Sequence, residues 1–257
     1  MSDLVPIQLA WTRINEIGKR ATNQDMIGEA YDEQLAIFVL ADGAGGHEGG
    51  EVASRVVVDA ILKCFKDGPA FGAQALLGYA KCASDEVASR KKAEPRYADM
   101  STTVAALLID LARGQAMWGH LGDSRVYLFR ANRLHAMSKD HSLTQQLIDA
   151  GYARAEQLRI HPQRNILFAA IGAEGDTQVE LSAGATALLP GDALLMCSDG
   201  LWEWVVEADM ERTLAQSSGP DQWLAAMCRL ADDNIINSGK VRDNYSAYAI
   251  QVQGAKA

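Results

Sequence analysis

Seven apolar residues in a row, Leu35 to Ala41, run directly into Asp42 and Gly43. With β-branched and aromatic members, the run reads as a strand buried on both faces. A carboxylate at the end of such a strand is costly to bury alone, and the chain repeats the arrangement. Asp199-Gly200 closes the run Leu194 to Ser198, and Asp243-Asn244 lies just before Tyr245 to Ile250. Taken singly, an Asp-Gly pair reads as a turn. Three aspartates at strand ends point to a fold that gathers those ends around one positive partner. A hard metal ion is the simplest such partner.

The 257 residues favour one domain spanning 1–257 over two small ones. The formal net charge is −9 and no basic run interrupts it, which argues against nucleic acid as a partner. The four cysteines, Cys64, Cys82, Cys197 and Cys228, form no C-x-x-C pair. Their apolar or helical contexts predict reduced, partly buried thiols. Met1-Ser2-Asp3-Leu4 shows no basic stretch leading into an apolar one, and no apolar run approaches the ~20 residues of a membrane helix. The expectation is a soluble, cytoplasmic, monomeric protein with no membrane partner.

Beyond Ala41, five glycines between 43 and 50 predict a break in regular structure. A helix burying Val52, Val56, Ile61 and Phe65 should follow. Pro69 is placed to start a second helix, with Leu76, Leu77, Ala80, Ala83 and Val87 as its buried stripe and the charged segment 90–96 as its end. Strands are expected at 102–109, 116–121 and 126–129. A tight turn at Gly122-Asp123-Ser124 joins the last two as an antiparallel meander. Ser142 suits the N-cap of a helix through Ile148, with Gly151 past its end. The polar stretch that follows predicts a flap-like segment over about 152–175 with a short helix. A strand at 193–197, helices at 208–216 and 220–234, and a closing strand at 245–252 complete the pattern. It is an α+β arrangement of antiparallel sheets covered by helices on their outer faces.

Carboxylates without neighbouring Cys or His ligands favour Mg²⁺ or Mn²⁺ over Zn²⁺. One shared carboxylate can bridge two such ions. Together they can activate a water and offset charge on a transferring phosphoryl group.

The motifs occur in a definite order. Arg20-Ala21-Thr22-Asn23-Gln24-Asp25 comes first, then Ala41-Asp42-Gly43-Ala44-Gly45-Gly46-His47 with Gly50-Glu51-Val52-Ala53-Ser54. Ser101-Thr102-Thr103, Gly122-Asp123-Ser124-Arg125 and Asp140-His141-Ser142-Leu143 follow. His161-Pro162-Gln163-Arg164-Asn165, Ile171-Gly172, Cys197-Ser198-Asp199-Gly200-Leu201 and Asp243-Asn244 close the series. In this order they resemble the metal-dependent protein phosphatases of type 2C, most closely the single-domain bacterial serine/threonine type, over roughly Arg20 to Ile250.

The resemblance implies a four-layer α-β-β-α sandwich, two central antiparallel sheets flanked by helices, with the metals at one edge between the sheets. It implies hydrolysis of phosphoserine and phosphothreonine in proteins by direct attack of a metal-bridged water. Such an enzyme opposes a serine/threonine kinase in bacterial signalling. Gly46-His47-Glu48-Gly49-Gly50 carries a loose similarity to members that regulate secretion systems. By the same resemblance Asp42 bridges two ions of Mn²⁺ or Mg²⁺, and the Gly43 carbonyl binds one of them. Asp199 and Asp243 complete the first site. Asp25 acts through metal-bound water, and Asp123 with Asp199 holds a third ion. Arg20 grips the substrate phosphate, which suits a planar guanidinium.

Two departures stand out. Eukaryotic relatives place a histidine, proposed as general acid, where this chain has Ala44. The family's common threonine and arginine are Phe168 and Ala169 here. Among other candidates, His47 reads as a helix-start or packing residue, His141 as a second-shell or capping residue, and Trp202 and Trp204 as packing. Ser198 lacks the surroundings of a nucleophile. Two rival readings remain: a catalytically inactive phosphatase-like regulator that binds a phosphoprotein or ligand, and a phosphatase of small phosphorylated molecules.

Overall fold

The structure, a computed structural model, describes residues 6–44, 46–174 and 178–254, with side chains at 46–48 set aside. Gly45, the His47 side chain and the end of the expected 152–175 flap therefore lie outside the described residues. Strands β1 (Ile7–Glu16), β2 (Asp25–Tyr31) and β3 (Leu35–Ala44) open the chain, followed by helices α1 (Gly46–Asp67) and α2 (Ala73–Ala93). Four strands, β4 (Ser101–Thr102), β5 (Val104–Asp110), β6 (Gln115–Leu121) and β7 (Arg125–Arg130), lead to β8 (Arg133–Met137) and α3 (Leu143–Asp149). Short strands β9 (Glu180–Leu181) and β10 (Thr186–Ala187) precede β11 (Ala193–Cys197). Helices α4 (Asp199–Trp202), α5 (Glu207–Ala215) and α6 (Pro220–Ser238) and strand β12 (Tyr245–Gly254) finish it.

One sheet runs β1-β12-β11-β7-β8 and the other β10-β6-β5-β3-β2, all in antiparallel pairs, with β9 also on β6 and β4 on β3. The period-2 alternation of β3 shows how the layers form. Ile37, Val39 and Ala41 face α1 and α2, in a core with Val57, Ile61, Phe65, Leu76 and Tyr79. Phe38 and Leu40 face the opposite sheet, among Leu107, Leu128, Met196 and Tyr248. On that sheet's far side Tyr127, Phe129 and Leu195 pack against Met210, Trp223 and Met227 of α5 and α6. Both faces of both sheets are covered, which is why the run at β3 carries no polar residue before Asp42. This is the four-layer α-β-β-α sandwich.

Several local expectations are corrected. Gly46, Gly49 and Gly50 do not form a loop, because α1 starts at Gly46 and takes Gly49 and Gly50 into its first turns. A Cβ on Gly43 would stand 2.0 Å from the Gly50 carbonyl oxygen, so the glycines allow α1 to press onto the end of β3. Pro69 lies four residues ahead of α2, and Arg90 to Lys92 form that helix's last turn instead of a solvated loop. Cationic residues there favour the helix C-terminus. The strands β6 and β7 are not a hairpin but belong to different sheets. Gly122, at φ +102°, carries the chain across, so Asp123 sits between the sheets. Cys64 and Cys82 form a disulfide between α1 and α2 instead of remaining thiols, brought together where Phe65 packs edge-on against Tyr79. A separation of 18 residues gave no sequence signal for that pairing. Cys197 and Cys228 are free.

Phe38 is fully buried between the sheets, edge-on to Trp11 and Tyr248. Phe38→Ala should destabilise the protein by about 3–5 kcal/mol in urea unfolding. A loss below about 1 kcal/mol would show that the inter-sheet core does not hold the sheets together.

Candidate active site

The β2–β3 register sets Asp25 directly opposite Asp42. In the other sheet Cys197 pairs with both Ala247 and Arg125. This register brings Asp199 after β11, Asp243 before β12 and Asp123 before β7 to the same end of the sandwich. A cavity of about 220 Å³ opens there, lined by Arg20, Gln24, Asp42, Gly43, Ala44, Thr103, Asp123, Asn165, Leu167, Asp199, Asp243 and Asn244. Every sequence-predicted site residue lines it except Asp25, which lies buried beside it. A larger groove of about 670 Å³, between α2 and residues that include Ile171, Gly172 and Val179, holds a single carboxylate among the described residues, Asp85.

Polar neighbours fix the backbone at Asp42 and Asp123 and the carboxylate of Asp25. The Asp42 amide donates to Thr103 Oγ1, and its carbonyl accepts from the Thr103 amide and Thr102 hydroxyl. The Thr103 hydroxyl meets the Ser124 hydroxyl at 2.7 Å, tying the Asp42 strand end to the Asp123 turn. Ser198, fully buried, donates its hydroxyl to Asp25 Oδ2 at 2.7 Å and accepts from the Ser246 amide. It is a brace and not a nucleophile. Trp202 donates Nε1–H to the Asp123 carbonyl, and the Arg125 guanidinium lies 3.5 Å over its ring. Arg125 in turn makes two 2.7 Å bonds to Asp140, both side chains buried. Asp140 is therefore structural. Trp204 lies at the rim, with Lys240 over its ring.

Asn244 and Thr103 are residues whose roles the sequence did not disclose. The Asn244 amide donates to the carbonyls of Ile17 and Thr22, while its Oδ1 accepts from the Gln24 amide. This side chain clamps the loop that carries Arg20 against Asp243. The available signal was the adjacency of Asn244 to Asp243, which says nothing about a partner over 200 residues away. Arg20 itself donates one bond to Asp243 Oδ2, at 2.5 Å, and is more than half exposed.

The electrostatics show what the cluster lacks. Burial, and then the charges of Asp25, Asp199, Asp123 and Asp243, push the Asp42 carboxyl well above its usual range. Burial and then Asp123, Asp243 and Asp25 do the same to Asp199. Asp25 is raised to about 6, chiefly by burial, with the Ser198 hydroxyl opposing. Asp123 is raised to about 7 by burial and Asp140. Among the described residues two buried oxygens, Asp25 Oδ1 and Ser246 Oγ, have no hydrogen-bond partner. All-oxygen donors, mutual repulsion and orphaned buried oxygens fit hard divalent cations. Among the described residues no three of these carboxylates bring oxygens within 4.8 Å of one another. Three carboxylates on a single ion would have to converge, and Asp243 is instead turned toward Arg20.

The family model described as protein phosphatase 2C matches residues 15–239. The chain belongs to the protein phosphatase 2C family. Its curated relatives include the serine/threonine phosphatase Stp of Listeria welshimeri, 35% identical over 202 residues, which cover 76% of this chain and 78% of that protein. Among solved structures, the catalytic domain of the serine/threonine protein phosphatase PstP in complex with two manganese ions matches with a TM-score of 0.80. It is 27% identical and covers 96% of this chain and 99% of that one. PppA of Pseudomonas aeruginosa, described as a key regulatory component of T6SS, matches with a TM-score of 0.71 and 27% identity, over 95% and 97% of the two chains. Within the 2C family the Ala44 position is a site feature of this chain: Ala44 is exposed and lines the cavity without a titratable group.

A raised carboxyl pKa means that the folded chain keeps protons that the unfolded chain has released above about pH 4. Metal-free stability should therefore fall as pH rises through 6 and 7, the range set by Asp25 and Asp123. In chelator, Tm should be higher near pH 5.5 than near pH 8, and Mn²⁺ should raise the pH 8 value most. A metal-free Tm that increases over this range would contradict the assignment.

Proposed function

We propose that this chain, a protein serine/threonine phosphatase of the 2C family, holds divalent cations among Asp42, the Gly43 carbonyl, Asp199 and Asp243. Asp25 stands behind them, and Asp123 with Asp199 takes a further one. The observation that carries the proposal is the gathering of four carboxylates and one arginine around a single cavity at the sheet ends, with Asp25 buried behind Asp42. When bound, such ions supply Lewis acidity, lowering the pKa of water and offsetting charge on a phosphoryl group.

The chain's own residues do the rest. Arg20 spends one donor on Asp243 and has further guanidinium donors for substrate phosphate. Ser198 keeps Asp25 oriented, and Thr103 fixes the backbone of Asp42. Asn165 and Leu167, from the flap-like segment, close one side of the cavity. No histidine stands at Ala44, so the leaving serine or threonine oxygen takes its proton from water or from another group. Phe168 lies partly exposed against His141, and Ala169 is buried, so neither contributes a charge.

Phosphorylated proteins are the proposed substrates, with an opposing serine/threonine kinase in a bacterial signalling pathway, and Mn²⁺ or Mg²⁺ as the ions. The similarity to PppA supports a role in secretion-system regulation. A monomer with a single catalytic domain is proposed. No helix among the described residues is long and apolar enough to cross a membrane, and cytoplasmic residence is proposed on that basis and on the kinase pairing. Against it stands the Cys64–Cys82 bond, which a reducing compartment would open.

Asp199→Asn should abolish Mn²⁺-dependent phosphate release from a phosphothreonine peptide. Near wild-type release would sink the role of Asp199, and wild-type protein with no Mn²⁺-dependent release would favour the inactive binding domain. Arg20→Ala should raise KM for the peptide about tenfold or more, as loss of a charged hydrogen bond to phosphate does. An unchanged KM with weakened metal binding would instead assign Arg20 to the support of Asp243.

A further inference from the structure

Outside the carboxylate cavity, His120, His141 and Glu180 converge. The imidazoles of His120 and His141 stack, with centroids 4.7 Å apart and planes 8° from parallel. The β6–β9 register sets Glu180 opposite His120. The three side chains bring ligand atoms within 4.8 Å, a spacing that a zinc ion could accept. The hydrogen bonds speak for another role. His141 Nδ1 accepts the Gly122 amide N–H at 3.1 Å, so the ring proton sits on Nε2, which donates to Glu180 Oε2 at 3.0 Å. Both ring nitrogens of His141 are in use, so His141 has no lone pair left for an ion, and of the two imidazoles only His120 keeps an unpartnered nitrogen, its buried Nδ1. The His141 amide also donates to the Gly122 carbonyl at 2.9 Å. His141 thus grips both backbone polar groups of Gly122. That glycine has no side chain to define the turn, and a Cβ there would stand 2.6 Å from Thr103 Cγ2.

We propose that His141, its tautomer fixed by Glu180, is a positioning residue that holds the Gly122-Asp123 turn so that Asp123 faces the cations. The proposal rests on the reading of Asp123 as an outer metal ligand. His120 supports the imidazole by stacking and is itself anchored by donating Nε2–H to the Lys139 carbonyl. Phe168, which stands where the family commonly has threonine, packs its ring 5.6 Å from the same imidazole. A residue behind a metal ligand typically changes metal affinity by about 10- to 100-fold when removed.

Mn²⁺ titrated into the full chain, with the free ion followed by electron paramagnetic resonance, reads this without turnover. His141→Ala should weaken the weakest class of Mn²⁺ sites by roughly tenfold or more. His141→Asn, whose Oδ1 can accept the Gly122 N–H in place of Nδ1, should restore most of the loss. Glu180→Ala, at a side chain that is 55% exposed, should weaken the same class in the same direction. In an Asp123→Ala background His141→Ala should change nothing further. An unchanged isotherm in His141→Ala, or His141→Asn as weak as His141→Ala, overturns the proposal. If His141→Ala does not fold, Glu180→Ala decides, and an unchanged isotherm there overturns it. Wild-type protein that binds no Mn²⁺ overturns the reading of the site as well, whereas unaltered variants of a Mn²⁺-binding protein overturn this role alone.

Discussion

Mutual repulsion among buried carboxylates is the constraint on which the rest of this structure turns. Asp25 and Asp42 face each other across β2 and β3, and Asp123 and Asp199 add their charges from the opposite sheet. A core built only for stability would not place them there. The two sheets hold them regardless, through inter-sheet packing around Phe38, Leu107, Leu128 and Met196. Hydroxyl and amide braces then fix the backbone at Asp42 and Asp123 and the carboxylate of Asp25. The arrangement makes physical sense as the metal-free half of a charge-balanced site.

A second buried charge cluster shows the contrast. Arg125 and Asp140 are as deeply buried as Asp25 and Asp123, but each is satisfied by the other in a bidentate pair, with Tyr127 adding a third bond. That pair supports Trp202, which holds the Asp123 carbonyl. Arg159 approaches the same indole and bonds Glu207 at 2.6 Å, and Arg164 bonds Glu203 at 2.6 Å. The flap-like segment is thus fastened to α4 and α5 by ion pairs, which places Asn165 and Leu167 at the cavity wall.

Much of this was legible in the sequence because it depends on local patterning. The doubly buried strand at Leu35 to Ala41, the Ser142 cap and the helix from Pro220 follow from period, capping and proline chemistry. The site aspartates were legible because they interrupt apolar runs, and the motif order gave them roles. What was not legible depends on register and on contacts between distant segments. Nothing in Gly122-Asp123-Ser124 distinguishes a hairpin from a crossover between sheets. The Asn244 clamp, the Thr103–Ser124 contact and the Cys64–Cys82 bond each join segments that only the folded packing brings together.

Crystals grown with Mn²⁺ and measured for anomalous diffraction at the manganese edge would locate the ions directly. The proposed site predicts two strong peaks beside Asp42, one of them also contacting Asp199 and Asp243, with a weaker peak between Asp123 and Asp199. Empty density at those carboxylates, or a peak confined to His120, His141 and Glu180, would contradict the assignment of the cavity as a cation-dependent active site.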